Sequence, residues 1–282
     1  MEPVFVRHSK PQKKSLPKTK FGIPGLDSIL SGGIYQGTLT FIEPDSYSKH
    51  YISFARCFLG EGATNKEKLF VYMNQTIDGF IPPVAKQSKS NPSKMRIAWR
   101  YEGQVSQTAV DEKHYDLTKS INYPHIHHPA SVPDLYTQIY NDISNSLDSS
   151  TDTTHKRILI LLPSISSEAA QLNSFLASLR ALVRSIYAVC LLISEVPSDP
   201  LLSFTLLKNI DFGMKITDFD DKTDLGEYCA SLSITKPLSL QSLGNFELRS
   251  LNFGIVREPK IIDVSNFTTP PVGGVGKSAL EY

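Results

Sequence analysis

Phosphate chemistry asks for a particular set of residues, and Glu43-Pro44-Asp45-Ser46-Tyr47-Ser48-Lys49-His50 stands where they would be. The segment follows an apolar run, Thr38-Leu39-Thr40-Phe41-Ile42, and leads into an amphipathic one. A phosphate loop between a strand and a helix reads G-x-x-x-x-G-K-[ST]. Its glycines let backbone N–H groups face the anion, its lysine reaches the β/γ-phosphates and its hydroxyl holds Mg²⁺. On Glu43–His50 only the lysine is found, at Lys49. The first glycine is Glu43, whose carboxylate repels phosphate, and the second is Ser48, beside the bulky Tyr47. The hydroxyl is replaced by His50, and Mg²⁺ prefers oxygen ligands. Lys49 is therefore the one candidate for a cofactor contact, set against an ordinary solvated lysine.

Two further roles are vacant. A carboxylate that helps to position Mg²⁺ belongs at the end of an apolar strand, yet Arg157-Ile158-Leu159-Ile160-Leu161-Leu162 runs into Pro163-Ser164. A water-orienting acid belongs after Leu69-Phe70-Val71-Tyr72-Met73, and Asn74-Gln75 follow instead. An amide is no general base. Gly273-Gly274-Val275-Gly276-Lys277-Ser278 looks like a phosphate-loop fragment, but the template's first glycine falls on Pro271. Thr268-Thr269-Pro270-Pro271 leads in where a strand should, so the segment reads as a flexible tail. No catalytic residue and no cofactor of the chain's own is expected.

Two other constellations carry chemistry. Trp99, Arg100 and Tyr101, within Met95–Tyr101, are candidates for an RNA or protein contact, since aromatics and arginine anchor interfaces and stack on unpaired bases. The competing reading is a half-buried strand whose alternation buries Trp99 and Tyr101. Pro124-His125-Ile126-His127-His128-Pro129 would set His125 and His127 on one face if extended. A zinc site needs three or four convergent ligands, and only Asp116 and Asp134 lie close in sequence. The run reads as a Pro-bounded loop with no metal.

The elements that position these residues follow from periodicity. The chain has 282 residues, net charge +1 and 40% hydrophobic content, which suits one large domain and argues against a wholly basic nucleic-acid binder. No apolar run reaches the roughly 20 residues of a membrane span, and Met1–Arg7 lacks a signal-peptide core. Cys57, Cys190 and Cys229 are widely spaced and odd in number, as expected for reduced thiols in the cytosol or nucleus. Strands are expected at Thr38–Ile42, Leu69–Met73, Arg157–Leu162 and Tyr187–Ser194, the apolar-dense ones reading as buried parallel strands, and at Met95–Tyr101 as an alternating strand. Helices are expected at Tyr47–Leu59, closed by Gly60-Glu61-Gly62, at Asp134–Leu147 and at Ser167–Ser185. Shorter strands at Phe212–Phe219, Tyr228–Ile234, Phe253–Val256 and Lys260–Val264 suggest a β-rich C-terminal extension of the same sheet. The alternation makes the fold α/β with a mostly parallel sheet flanked by helices. Residues 1–20, rich in lysine and proline, read as a disordered basic tail; 21–265 as the folded domain; 266–282 as a flexible tail.

Gly22-Ile23-Pro24-Gly25-Leu26-Asp27, Gly32-Gly33 and Gly37 resemble the approach to the first strand of RecA-superfamily domains. With Ile42-Glu43-Pro44-Asp45, Phe58-Leu59-Gly60-Glu61-Gly62, Ile97-Ala98-Trp99-Arg100-Tyr101-Glu102 and His114-Tyr115-Asp116-Leu117-Thr118, the chain resembles the family of Elongator complex subunit four over about residues 20–260. That resemblance implies a RecA-like domain with a degenerate phosphate loop. It implies a heterohexameric ring with subunits five and six that binds tRNA in a nucleotide-sensitive way, any ATP being held by the ring partners. It implies association with the catalytic subassembly of subunits one, two and three, which modifies the wobble uridine (U34) of tRNA. A link to transcription elongation and a cytoplasmic location, with the nucleus as a second one, belong to the same implication. The alternative is a RecA- or recombinase-type ATPase with an atypical phosphate loop.

Overall fold

The computed structural model describes residues 17–45, 49–74, 79–85, 114–130, 134–147, 155–164, 169–196, 198–218, 228–238, 245–249 and 255–257. In chain order its elements are β1 (Lys18–Thr19), α1 (Pro24–Ile29), β2 (Ile34–Tyr35), β3 (Thr38–Glu43), α2 (His50–Thr64), β4 (Lys68–Met73), β5 (His125–His128), α3 (Leu135–Leu147), β6 (Lys156–Ser164), α4 (Ala169–Ser185), β7 (Val189–Glu195), α5 (Pro200–Asn209), β8 (Phe212–Asp218), β9 (Tyr228–Lys236), β10 (Asn245–Arg249) and β11 (Ile255–Arg257).

Nine of the described strands form one sheet in the order β11-β10-β9-β8-β3-β7-β6-β4-β5. All pairings from β8 to β5 are parallel. Those joining β8, β9, β10 and β11 are antiparallel. The fold is thus α/β, with the expected β-rich extension continuing the same sheet. The central strands read as unbroken apolar runs because both faces are covered. On β4, Leu69, Val71 and Met73 join a cluster with α1 and α2, while Phe70 and Tyr72 join a second cluster with α3, α4 and α5. On β8 the pattern narrows: Phe212, Met214 and Ile216 all face the first cluster and Lys215 is exposed.

The Gly22–Asp27 segment forms a tight opening turn. Asp27 is buried, and its carboxylate accepts the Phe21 N–H at 2.6 Å and the Gly22 N–H at 3.1 Å. Gly22 has φ +103°, and a Cβ there would stand 2.4 Å from the Cys57 carbonyl oxygen. Below the turn, the fully buried Arg157 forms an ion pair with the buried Glu67 and donates to the Phe58 carbonyl at 2.8 Å. It also donates to Thr19 Oγ1 and the Lys20 carbonyl, each at 3.2 Å.

Several expectations are corrected. The helix does not close at Gly60-Glu61-Gly62 but continues to Thr64. These glycines serve close packing: a Cβ on Gly60 would lie 2.8 Å from Tyr115, and one on Gly62 would lie 2.6 Å from Leu69. The histidine run is an edge strand, β5, rather than a loop. The folded unit begins before residue 21, because Lys18–Thr19 pairs with Ile34–Tyr35 and Arg157 holds Thr19. α1, α5 and β10 have no counterpart among the expected elements. The strand expected at Met95–Tyr101, the one at Lys260–Val264 and the Gly273–Ser278 segment lie outside the described residues.

Candidate functional site

In open parallel sheets, ligands bind at the carboxyl ends of the strands. Here that position is the junction between β3 and α2, flanked by β7 and β8. Glu43 ends β3, opposite Lys215 in the β8 register, and its Oε1 accepts from Lys215 Nζ at 2.6 Å. Two residues on, Asp45 Oδ2 accepts the Asp218 N–H at 2.6 Å. At the start of α2, His50 Nε2 lies 3.7 Å from Asp218 Oδ1. The junction is thus tied to the end of β8 by its own carboxylates. The half-exposed Glu43–Lys215 pair gives orientation and only about 0–1 kcal/mol.

Lys49 is exposed and stands at the N-cap of α2. The Lys49 side chain does not cap the helix, and the Ile52 N–H of the first turn bonds to the Lys49 carbonyl at 3.0 Å. Asn74, at the end of β4, is exposed. Opposite Ser164 at the end of β6, the register places Glu195 of β7, an exposed carboxylate that the sequence reading did not single out. Its signal was its place at the end of an apolar strand, Val189–Glu195.

The histidines are engaged in packing. His125 Nδ1 lies 2.7 Å from the Tyr123 carbonyl, and His127 Nε2 lies 3.1 Å from the Met73 carbonyl. His128 stacks on Tyr72 with ring centroids 6.3 Å apart and lies 3.4 Å from Asp142 Oδ2. The same oxygen accepts the Tyr72 hydroxyl at 2.9 Å, and burial first, then Asp142, pushes the Tyr72 pKa upward. Among the described residues, no group of three or more His, Cys, Asp or Glu side chains could hold a metal. Trp99, Arg100 and Tyr101 lie outside the described residues. The structure therefore brings Glu43, Asp45, Lys49, His50, Lys215 and Asp218 to one strand end, and sets the histidine run two strands beyond β6, at the sheet edge.

A second group lies beneath the opening turn. Glu61, buried on α2, accepts the Tyr115 hydroxyl at Oε2 and the Asn65 amide at 3.0 Å at Oε1. Asp27 has its pKa raised to about 6, chiefly by burial, with Glu61 adding in the same direction against the two N–H bonds. Charge here is spent on fixing the approach to β3, not on a solvent-facing site.

The mostly parallel sheet with a strand–loop–helix junction at its centre is the architecture of a RecA-like domain. Two solved structures share that fold. One is described as an ATPase domain (TM-score 0.57, 14% identity, 88% of this chain and 94% of that one). The other is a KaiC-like protein from Pyrococcus horikoshii (TM-score 0.51, 16% identity, 87% and 100%). A family model described as PAXNEB protein matches residues 6–224, and the chain belongs to that family. Its curated relatives are named Elongator complex protein 4. The one from Danio rerio is 27% identical over 45% of this chain and 38% of its own length. The one from Xenopus laevis is 30% identical over 36% and 31%. The one from Dictyostelium discoideum is 23% identical over 92% and 76%. The chain thus spans about a third of the two vertebrate relatives' length and about three quarters of the Dictyostelium one.

Proposed function

We propose that this chain is a non-catalytic subunit of an Elongator complex. In this reading it forms a heterohexameric RecA-like ring with subunits five and six, and the ring binds tRNA. The ring supports wobble-uridine (U34) modification by the catalytic subassembly of subunits one, two and three, in the cytoplasm and also the nucleus. The observation that carries the reading is the pair of carboxylates, Glu43 and Asp45, that occupy the phosphate-loop position and bind β8. Negative charge there opposes an anionic nucleotide, while the frame around it is kept. RecA-like domains pack head-to-tail, a heterologous contact that closes into a ring when the rotation permits. A member without chemistry still supplies one wall, and nucleotide is then held by its neighbours.

Affinity capture of the tagged native chain tests this, read as the mass and composition of the complex. Recovery of two other RecA-like subunits in equal amounts, with tRNA binding that weakens as salt rises, is the expected outcome. Capture without other RecA-like subunits would overturn the assignment. A second reading, an ATPase with an atypical loop, draws on exposed Lys49 at the start of α2 and on Glu195 beside the end of β6. Saturable nucleotide binding by the lone chain is what separates the two.

A further inference from the structure

Helix α5 carries the most exposed apolar surface among the described residues. Leu201 is 59% exposed, Phe204 65% and Leu207 39%. The other large exposed hydrophobics, Val84, Ile121, Tyr140 and Tyr187, are scattered over separate elements. The three on α5 recur every third residue, so they fall on one side of the helix. Thr205, Leu206 and Asn209 are buried. The helix is also held at both ends. Asp199 caps it by accepting the Leu201 N–H at 2.9 Å, and Lys236 donates to the Leu207 carbonyl at 2.8 Å and to that of Ile210. Asn209 donates to Asn173 of α4 at 3.0 Å. A rigid helix with an apolar stripe is suited to docking.

The stripe has a symmetry that selects its occupant. Leu201-x-x-Phe204-x-x-Leu207 reads the same in both directions about Phe204. An antiparallel second copy sets Phe204 on Phe204 and each Leu201 on the other copy's Leu207, which is the self-complementary pattern of a two-fold contact. The charges agree with it. Exposed Asp199 lies at one end and exposed Lys208 at the other, so antiparallel pairing brings each ammonium to the opposite carboxylate. A parallel pair would place like charges together. We infer that the α5 face is a two-fold contact between two copies of this chain. The contact area of one short helix lies below the roughly 800 Å² per partner of a standard interface, so the dimer is weak and depends on concentration.

The test uses the full chain in sedimentation velocity between about 5 and 200 μM, a range that brackets weak interfaces. The expected result is a mass that rises toward twice the monomer, with Phe204→Asp monomeric throughout and Lys208→Glu dissociating at least tenfold more readily. Both positions are exposed, so the variants keep their circular dichroism. Phe204→Cys should form an intermolecular disulfide under mild oxidation much faster than Tyr140→Cys, because only position 204 meets itself. A wild-type chain that stays monomeric, or equal cross-linking at 204 and 140, overturns the inference. Loss of other subunits from captured Phe204→Asp, with a monomeric wild type, would give the face to a different protein and overturn it as well.

Discussion

The opening turn and the junction after β3 lie some twenty residues apart, and the fold treats them in opposite ways. At the turn, glycine and aspartate are irreplaceable for reasons of packing. Gly22 has no room for a side chain, and Asp27 satisfies two backbone donors inside the core. At the junction, the residues that phosphate chemistry requires are replaced by Glu43, Ser48 and His50, and the flanking strand and helix still form. Geometry is retained where it builds the sheet. Chemistry is exchanged where only a ligand would have demanded it. The contrast is between buried groups with no alternative partner and half-exposed groups that water could serve as well.

The contrast makes graded predictions. The largest effect belongs to the pair under the turn. Arg157→Met leaves Glu67 buried without its partner and should cost about 3–5 kcal/mol in urea unfolding. Next is Gly22→Ala, which meets the Cys57 carbonyl at 2.4 Å in a left-handed backbone and should cost about 3 kcal/mol. A neutral result for either would remove the difference between turn and junction.

Asp27 gives a pH signature. Its pKa is raised from 3.8 to about 6 on folding. Below about pH 4 it is protonated in both states, and the folded form has its full advantage. Between about pH 4 and 6 the unfolded chain releases the proton while the folded chain holds it, so stability falls as pH rises, by up to about 3 kcal/mol. Urea midpoints of wild type and Asp27→Asn across that range check this, since the variant should lack the slope. The smallest effect lies at the junction: Glu43→Gln should change stability by no more than about 1 kcal/mol, and less at high salt. A loss as large as that of Arg157→Met would erase the distinction between the two regions.

Much of the frame can be read from residue order because its signals are local. Arg157–Leu162 and Tyr187–Ser194 are apolar on both faces, which names a buried parallel strand without any partner in view. The departure of Glu43–His50 from the phosphate-loop template is equally local, since it is a matter of residue types alone. What is illegible is long-range or ambiguous. Glu43–Lys215 and Arg157–Glu67 join residues 172 and 90 positions apart, and no periodicity encodes such pairs. Gly60 and Gly62 read as a helix stop because glycine both ends helices and permits close packing, and only Tyr115 and Leu69 decide between the two. α5 does carry a signal, Asp199 then Pro200, the N-cap and first-turn pattern. It is obscured because the apolar residues of α5 fall on both the buried and the exposed sides.

The functional reading turns on whether the junction after β3, which keeps the RecA-like frame, holds nucleotide. Calorimetric titration of the isolated full chain with Mg²⁺–ATP decides it. The expected result is no saturable binding up to about 1 mM, an affinity no better than about −4 kcal/mol. Micromolar binding that disappears in Lys49→Ala would contradict the reading.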